Sequence, residues 1–396
     1  MLLFSFTVKK EATAVKKKVA DWHARGKGLA VLKGEDLFVG VDVHKKTYSV
    51  SVWSAQRGLV TRWVQPARVG VLAGRLEPIK SQVVRVVYEA GPTGFGLYHG
   101  LRALGFPVDV VAPSKTPSVP AALGKSDRRD ADTLAFLAWK GMLQAVAVPS
   151  LEEEADRQVS RRHKQAVQDA KRAKHRIKSL LLQHGVAEPA GLEHWSRGAI
   201  EALRQLPLRD GVRFTLDGLL SDLRHAQEQV DLAKAELAKL AESERHATAV
   251  RLLRKVPGVG LLTAMTYRTE VLRPERFRTA EQLASFCGLA PWVSRSGSTT
   301  RKGPISKAGN ARVRTVLVEA AWQWVRRDPG ARRLYRHLVA NTASRQKAVV
   351  AMARRLAVLL WGILVTGEAY CPEAPPQETA VAAGGPETQA PILEAR

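Results

Sequence analysis

Acidic residues are scarce in this chain. Its 37 Asp and Glu stand against 62 Lys and Arg, a formal net charge of +25 over 396 residues. Such a chain is a poor partner for cations and a good one for polyanions, because Lys and Arg that neutralise phosphates release condensed counterions. An anionic membrane surface is the rival reading. Cysteine is scarcer still. Cys287 and Cys371 are the only two, too few for a disulfide framework or a cysteine-based zinc site, and they suit a reduced, cytoplasmic setting. The longest apolar run, Leu356 to Val365, is too short to span a bilayer and follows Arg354 and Arg355, so it reads as a buried helix with no membrane partner. The opening MLLFSF is too short for a signal-peptide core and has no basic flank before it. A GxxxxGK[ST] phosphate loop is also missing, which argues against chemistry driven by nucleotide hydrolysis.

What is present divides into five stretches. Residues 1–36 form a basic arm with Lys16, Lys17 and Lys18 at its centre and no clear strand. Residues 37–150 alternate strand and helix. Strands are expected at 37–41, 48–54, 59–64, 83–89 and 108–112, and helices at 69–80 and 95–104, with a third helix beginning near Ser126. That order predicts a mixed sheet flanked by helices. Residues 151–248 carry two seams at alternating four–three spacing. Val159, His163, Ala166, Ala170, Ala173, Ile177 and Leu180 make one; Leu219, Leu223, Ala226, Val230, Ala233, Leu237 and Leu240 make the other. Two long helices in an antiparallel coiled coil follow from them. Between 161 and 178 the first helix has eight Lys and Arg and one Asp, so Arg161, Arg162, Lys164, Lys171 and Arg172 are expected to face phosphate rather than serve only for solvation.

Residues 249–368 read as a mainly helical domain. Val256-Pro257-Gly258-Val259-Gly260 between two helical stretches has the form of a helix-hairpin-helix, in which Gly258 and Gly260 would let backbone N–H groups approach a phosphate. A plain turn is the alternative. Phe286-Cys287-Gly288-Leu289-Ala290-Pro291 leads into a basic Ser/Gly/Thr segment, 294–307, which composition alone reads as a loop. Residues 369–396, rich in Pro, Ala, Gly and Glu, are expected to be a disordered tail.

Four carboxylates stand out. Asp42 follows the apolar run of the first strand, and a buried carboxylate there costs several kcal/mol unless something pairs with it. Glu89 ends a later strand. Asp127 and Asp130 are spaced i and i+3, which on a helix puts their Cβ atoms about 5–6 Å apart on one face. Two strands and one helix delivering four carboxylates suit a pair of Mg²⁺ ions about 3.5–4 Å apart, a site that activates and cleaves phosphodiesters. Asp132 points about 200° from Asp130 and stays outside the set. Lys125, Arg128 and Arg129 lie beside these acids, and spacing alone leaves a salt-bridged surface helix open.

The ordered set GVDVHKKTYSV, YEAGPTGFGL, GKSDRRDADTLA, LRKVPGVGLLTA and FCGLAPWVSRSGSTTRKGPISKAGNARVR resembles the DEDD transposases of the IS-one-ten insertion-sequence family over residues 37–325. The resemblance implies a RuvC-like (RNase H-type) N-terminal domain over 37–150 and a coiled coil used in oligomerisation. A C-terminal transposase domain follows. The family's acids fall on Asp42, Glu89, Asp127 and Asp130, and its serine nucleophile on Ser296, with Ser294 and Ser298 as neighbouring alternatives. Arg295, Arg301 and Lys302 would supply phosphate charge around it. The implied partners are DNA, a structured non-coding bridge RNA that guides target choice, and further copies of the chain, at least a dimer and a tetramer on DNA. Two rival functions share these residues: a RuvC-like endonuclease using metal-activated water, and a non-enzymatic nucleic-acid binder.

Overall fold

Alternation decides the first strand. Leu37, Val39 and Val41 are fully buried, while Phe38, Gly40 and Asp42 take the other side of the same strand. In a computed structural model that describes residues 34–117, 127–296 and 299–372, this strand is β1 (Leu37–Val43). The side chains of 127–129 and 293–302 lie outside that description, as do most of the basic arm and the tail. The protein is a mixed α/β chain with a central sheet and a helical C-terminal region. It divides into two units, Met1–Val148 and Pro149–Arg396.

In the first unit, β2 (Thr47–Ser54) and β3 (Gly58–Pro66) form an antiparallel meander with β1. The helix α1 (Val69–Leu76) then breaks into a 3₁₀ turn over Glu77–Gln82, where Pro78 lacks an N–H donor. β4 (Val83–Glu89) returns parallel to β1; after α2 (Gly96–Ala103), β5 (Val108–Val111) adds parallel to β4. The sheet order is β3-β2-β1-β4-β5. Both faces are covered. Leu72, Leu76, Leu97 and Leu101 pack on the Leu37–Val39–Val41 side. The helix α3 (Asp127–Trp139) lays Leu134, Leu137 and Ala138 on Val87 and Val111 of the other side.

The second unit opens with α4 (Leu151–Gln183). Ser150 Oγ accepts from the Glu153 N–H at 3.1 Å and Glu153 Oε2 accepts from the Ser150 N–H at 2.7 Å, a complete capping box. After the short α5 (Arg197–Arg204), α6 (Asp210–Ala241) runs back antiparallel along α4. Asp156 near the start of α4 lies 2.9 Å from His246, just past α6, and Arg162 donates to Gln229 at 2.9 Å. At the far end Ile177 and Leu181 pack with Leu216 and Leu220. The buried residues differ in part from the seams read in the sequence. In α4 Asp156, Ser160 and Leu181 are buried where the seam had Val159, His163 and Leu180, and in α6 Leu216, Leu220 and Ala241 are buried while Leu219, Val230 and Leu240 are only half-buried. A helix of 3.6 residues per turn drifts against a 3.5-residue repeat, so the apolar contact steps sideways along the pair.

The rest is α7 (Ala247–Leu253), α8 (Leu261–Val271), α9 (Ala280–Phe286), a two-stranded hairpin of β6 (Pro291–Ser296) and β7 (Thr299–Ile305), then α10 (Ala311–Arg327), α11 (Pro329–Thr342) and α12 (Arg345–Thr366). By length and composition α12 could cross a membrane. Here Ala348, Val349, Met352, Ala353, Leu356, Ala357 and Leu360 form a buried stripe instead, and Tyr267 donates to the Ala357 carbonyl at 2.7 Å.

Candidate active site

The first unit brings three of the four sequence-read acids to one side of the sheet. Gly40 faces Val87 and Val41 faces Tyr88 across the parallel pair, so Asp42 and Glu89 are the next residues on adjacent strands. Both lie two residues beyond a position on the α3 side, Gly40 and Val87 respectively, so the pleat turns them to that side as well. The close approach of α3 depends on Gly40. A Cβ there would sit 2.1 Å from the Ala131 carbonyl oxygen and 2.6 Å from the Ala135 nitrogen. Ala131 is the residue after Asp130, so the start of α3 lies over the strand that carries Asp42. Asp130 is exposed, and Asp42 and Glu89 are half-buried. The Asp127 backbone begins α3, while its side chain lies outside the described residues.

Two neighbours complete this corner. His44 Nε2 lies 3.0 Å from Asp42 Oδ2. Asp132 turns away and accepts from Arg62 of β3 at 3.1 Å, as its angle on the helix predicts. Among the described residues no three His, Cys, Asp or Glu side chains are gathered closely enough to hold a metal ion. The set read from the sequence includes Asp127. Its donors are all hard carboxylate oxygens, the type that Mg²⁺ prefers.

In the second unit the segment read as a basic loop is a β-hairpin. Ser294 faces Arg301, Arg295 faces Thr300, and Ser296 faces Thr299, so Ser296 is the last residue of β6 before the turn. Thr299, Thr300 and the Trp292-Val293 pair favour strand, and the many small and basic residues hide that preference. Ser298 and the side chains of Ser294, Arg295, Ser296, Arg301 and Lys302 lie outside the described residues.

The base of the hairpin is locked. The Ser306 N–H donates to the Ala290 carbonyl at 2.9 Å and the Asn310 N–H to the Phe286 carbonyl at 2.7 Å. A Cβ on Gly309 would lie 2.5 Å from the Gly288 nitrogen, so two backbones cross there with no room for a side chain. Arg314 ties both strands' feet, donating to the Lys307 carbonyl at 3.1 Å and the Cys287 carbonyl at 3.3 Å.

These two regions coincide with two family matches. Residues 39–186 match the DEDD_Tnp_IS110 transposase model, and residues 250–336 match the model described as "Transposase IS116/IS110/IS902 family". The chain is 35% identical over 336 residues to a putative transposase, y4qE, of Sinorhizobium fredii, covering 83% of this chain and 82% of that one. The chain belongs to the IS116/IS110/IS902 transposase family. It is also 27% identical over 332 residues to the transposase for insertion sequence element IS1533 of Leptospira borgpetersenii, 82% of this chain and 94% of that one. With the transposase for insertion sequence element IS1111A of Coxiella burnetii it shares 25% identity over 341 residues, 84% and 90% of the two chains. The protein is therefore a DNA transposase, and the two matches bracket the acid corner and the serine hairpin.

Within this transposase the basic residues of α4 differ in their contacts. Lys171 and Arg172 are exposed, Arg172 beside Asp169, and Lys164 is half-buried. Arg162, Arg172, Arg176 and His225 line a groove between α4 and α6. Arg161 has a contact that the sequence reading did not include. Its guanidinium grips Glu270 of α8 with two hydrogen bonds, 2.8 and 3.1 Å, and Arg157 Nε lies 3.8 Å from the same carboxylate. Burial alone would raise the Glu270 carboxyl. The hydrogen bonds from Arg161 and Asn310 and the nearby guanidinium charges outweigh burial and bring it below the usual glutamate value. Arg161 thus has an internal partner in the second unit. The charge pattern along α4 carries no sign of Glu270, more than a hundred residues away.

The two glycines before α8 also separate. Gly258 has φ +90°, and a Cβ there would fall 2.6 Å from the Trp324 nitrogen. Its lack of a side chain makes room for α10. Gly260 is exposed and precedes α8, and nothing lies within 4 Å of where its Cβ would stand.

Proposed function

We propose that this transposase cuts and rejoins DNA through a covalent serine intermediate, with a metal-holding acid corner and an RNA guide. The placement of Asp42 and Glu89 side by side at the ends of parallel strands, under the turn of α3 that carries Asp130, supports this reading most. In it the first unit is a RuvC-like, RNase H-type domain over 37–150, and Asp42, Glu89, Asp127 and Asp130 hold Mg²⁺. When bound, Mg²⁺ would polarise the scissile phosphate and stabilise the attacking and leaving oxygens. The Ser296 hydroxyl attacks that phosphate, and the displaced DNA hydroxyl leaves with the phosphodiester energy retained in a phosphoserine link. Rejoining then needs no nucleotide hydrolysis, which fits the missing GxxxxGK[ST] loop.

The α4–α6 pair, 151–248, serves as an antiparallel coiled coil that joins copies of the chain, at least a dimer and a tetramer on DNA. Arg162, Lys164, Lys171 and Arg172 contact nucleic-acid phosphates, with Arg295, Arg301 and Lys302 on the hairpin. In 249–368 the turn before α8 acts as a helix-hairpin-helix, with Gly260 presenting backbone N–H groups. A structured bridge RNA pairs with donor and target DNA. The deciding experiment denatures a reaction of the transposase with DNA and Mg²⁺ and maps any protein–DNA adduct by peptide mass. An adduct on Ser296 that Ser296→Ala removes is the expected result. An adduct on Ser294 or Ser298 would move the nucleophile. Recombination without an adduct would overturn the serine mechanism, and cleavage that survives Ser296→Ala would favour metal-activated water. Mixing Ser296→Ala with Asp42→Ala protein should restore activity if acids and serine act from different copies.

A further inference from the structure

Glu270 stands out among the buried groups of the second unit that take no part in the proposed chemistry. It is 3% exposed, on α8. Three groups converge on it. Arg161 of α4 holds both oxygens, Arg157 stands 3.8 Å away, and Asn310 Nδ2 donates to Oε2 at 2.9 Å. Asn310 is at the foot of the serine hairpin. Its Oδ1 accepts from the N–H groups of Arg312 at 3.0 Å and Val313 at 3.2 Å, capping α10, and its own N–H donates to the Phe286 carbonyl. The side chain of residue 310 therefore has one end fixed on α10 and the other on Glu270.

A buried carboxylate held this way is costly to keep unless all its partners stay in place, and it then fixes their positions narrowly. Glu270 and its partners together tie three segments: α4, α8 and the strand-to-helix junction that closes the hairpin. An error of about 1 Å in the placement of a reacting group costs on the order of a hundredfold in rate.

We propose that Glu270 is a positioning residue for strand transfer: through Asn310 it sets the foot of the β6–β7 hairpin and so the placement of the strand that ends in Ser296. The proposal rests on the serine mechanism for its chemistry but not for its structural content. Glu270 touches no DNA and takes no proton in the reaction.

The test uses the full chain and three variants. Glu270→Gln keeps the shape but turns an amide N–H₂ toward Arg161 or Asn310. Asn310→Asp keeps the α10 cap and sets a second carboxylate against Glu270. The double variant restores one hydrogen bond with its polarity reversed and keeps one negative charge for Arg161. DNA affinity, thermal melting, the single-turnover rate of adduct formation and hydrogen exchange over residues 288–310 are measured for each. Both single variants should melt cooperatively and bind DNA as the unaltered chain does. Adduct formation at saturating DNA should slow by roughly 10- to 100-fold, with faster exchange confined to the hairpin and its foot. The double variant should regain most of the rate and the protection. An unchanged adduct rate with unchanged exchange in both single variants overturns the proposal. If Glu270→Gln fails to fold, Asn310→Asp and the double variant decide. If the unaltered transposase forms no adduct, the serine mechanism fails by itself, and the exchange result alone judges Glu270.

Discussion

Asp42 and Glu89 each stand one residue past a facing pair, Val41 and Tyr88, on parallel neighbouring strands. Two carboxylates side by side at strand ends repel one another unless a cation sits between them or water screens them. Asp42→Ala and Glu89→Ala should each lower strand cleavage by about 100-fold or more, while DNA affinity, which rests on Lys and Arg, stays within about threefold of the unaltered value. Cleavage at the native rate with Mg²⁺ present would remove these acids from the reaction.

Gly40 makes the same corner possible by letting α3 come close. Gly40→Ala puts a methyl 2.1 Å from a backbone oxygen that has no way to yield except by moving the helix. Overpacking of this kind costs about 1–3 kcal/mol. The first unit should melt earlier, and cleavage should fall even though no charged group has changed. Cleavage that survives the substitution intact would show that the α3 acids need no such approach.

The two roles of basic residues on α4 can be told apart with salt. Replacing Arg162, Lys164, Lys171 and Arg172 by Ala should shallow the dependence of log affinity on log salt by about 0.7 to 0.9 for each phosphate left without its cation. Arg161→Ala should leave that slope alone. It should instead destabilise the second unit by about 2–4 kcal/mol, because it strips a buried carboxylate of its bidentate partner. A steeper loss of DNA affinity from Arg161→Ala than from the four-residue change would reverse the assignment.

Glu270 gives the second unit an acid sensitivity of definite sign. Its carboxyl is held below the usual glutamate value, so its stabilisation is fully present above the unfolded value, about 4.3, and is lost as pH falls through the lower folded one. Melting followed from pH 7 downward should therefore fall more steeply below about pH 4 for the unaltered chain than for Glu270→Gln. Parallel curves would mean that the carboxylate gains nothing from Arg161 and Asn310.

The two thiols should differ sharply. Cys287 is fully buried, and burial pushes its thiol up to about 12, whereas Cys371 is exposed. Since only the thiolate attacks alkylating reagents, iodoacetamide at pH 8 should label Cys371 in the native chain and reach Cys287 only after unfolding. Equal labelling without denaturant would contradict the burial.

Much of the first unit is legible in the sequence because its signals are local. The apolar runs ending in Asp42 and Glu89, the turn residues between strands and the i, i+3 pair on α3 all act over a few positions. The parallel pairing that sets Asp42 beside Glu89 is not local, and neither is the contact of Gly40 with Ala131. Arg161 and Glu270 show the limit more clearly. One looks like a surface charge and the other like an ordinary helix acid, and their roles exist only once α4 and α8 meet. The serine segment reads as a loop because its small polar residues carry weak strand preference, which the pairing of Ser294 with Arg301 overrides.

The crossing of Gly309 over Gly288 has a consequence for how this protein tolerates change in length. Residues 290 to 306 form a closed excursion whose neck is bolted by backbone contacts and by the Arg314 guanidinium. Adding residues at its tip costs only loop entropy, about 0.6 kcal/mol for each doubling, and leaves the neck undisturbed. Adding a single methyl at position 309 does the opposite, since it wedges two main chains apart. The excursion is free to grow or shrink, and its neck is not.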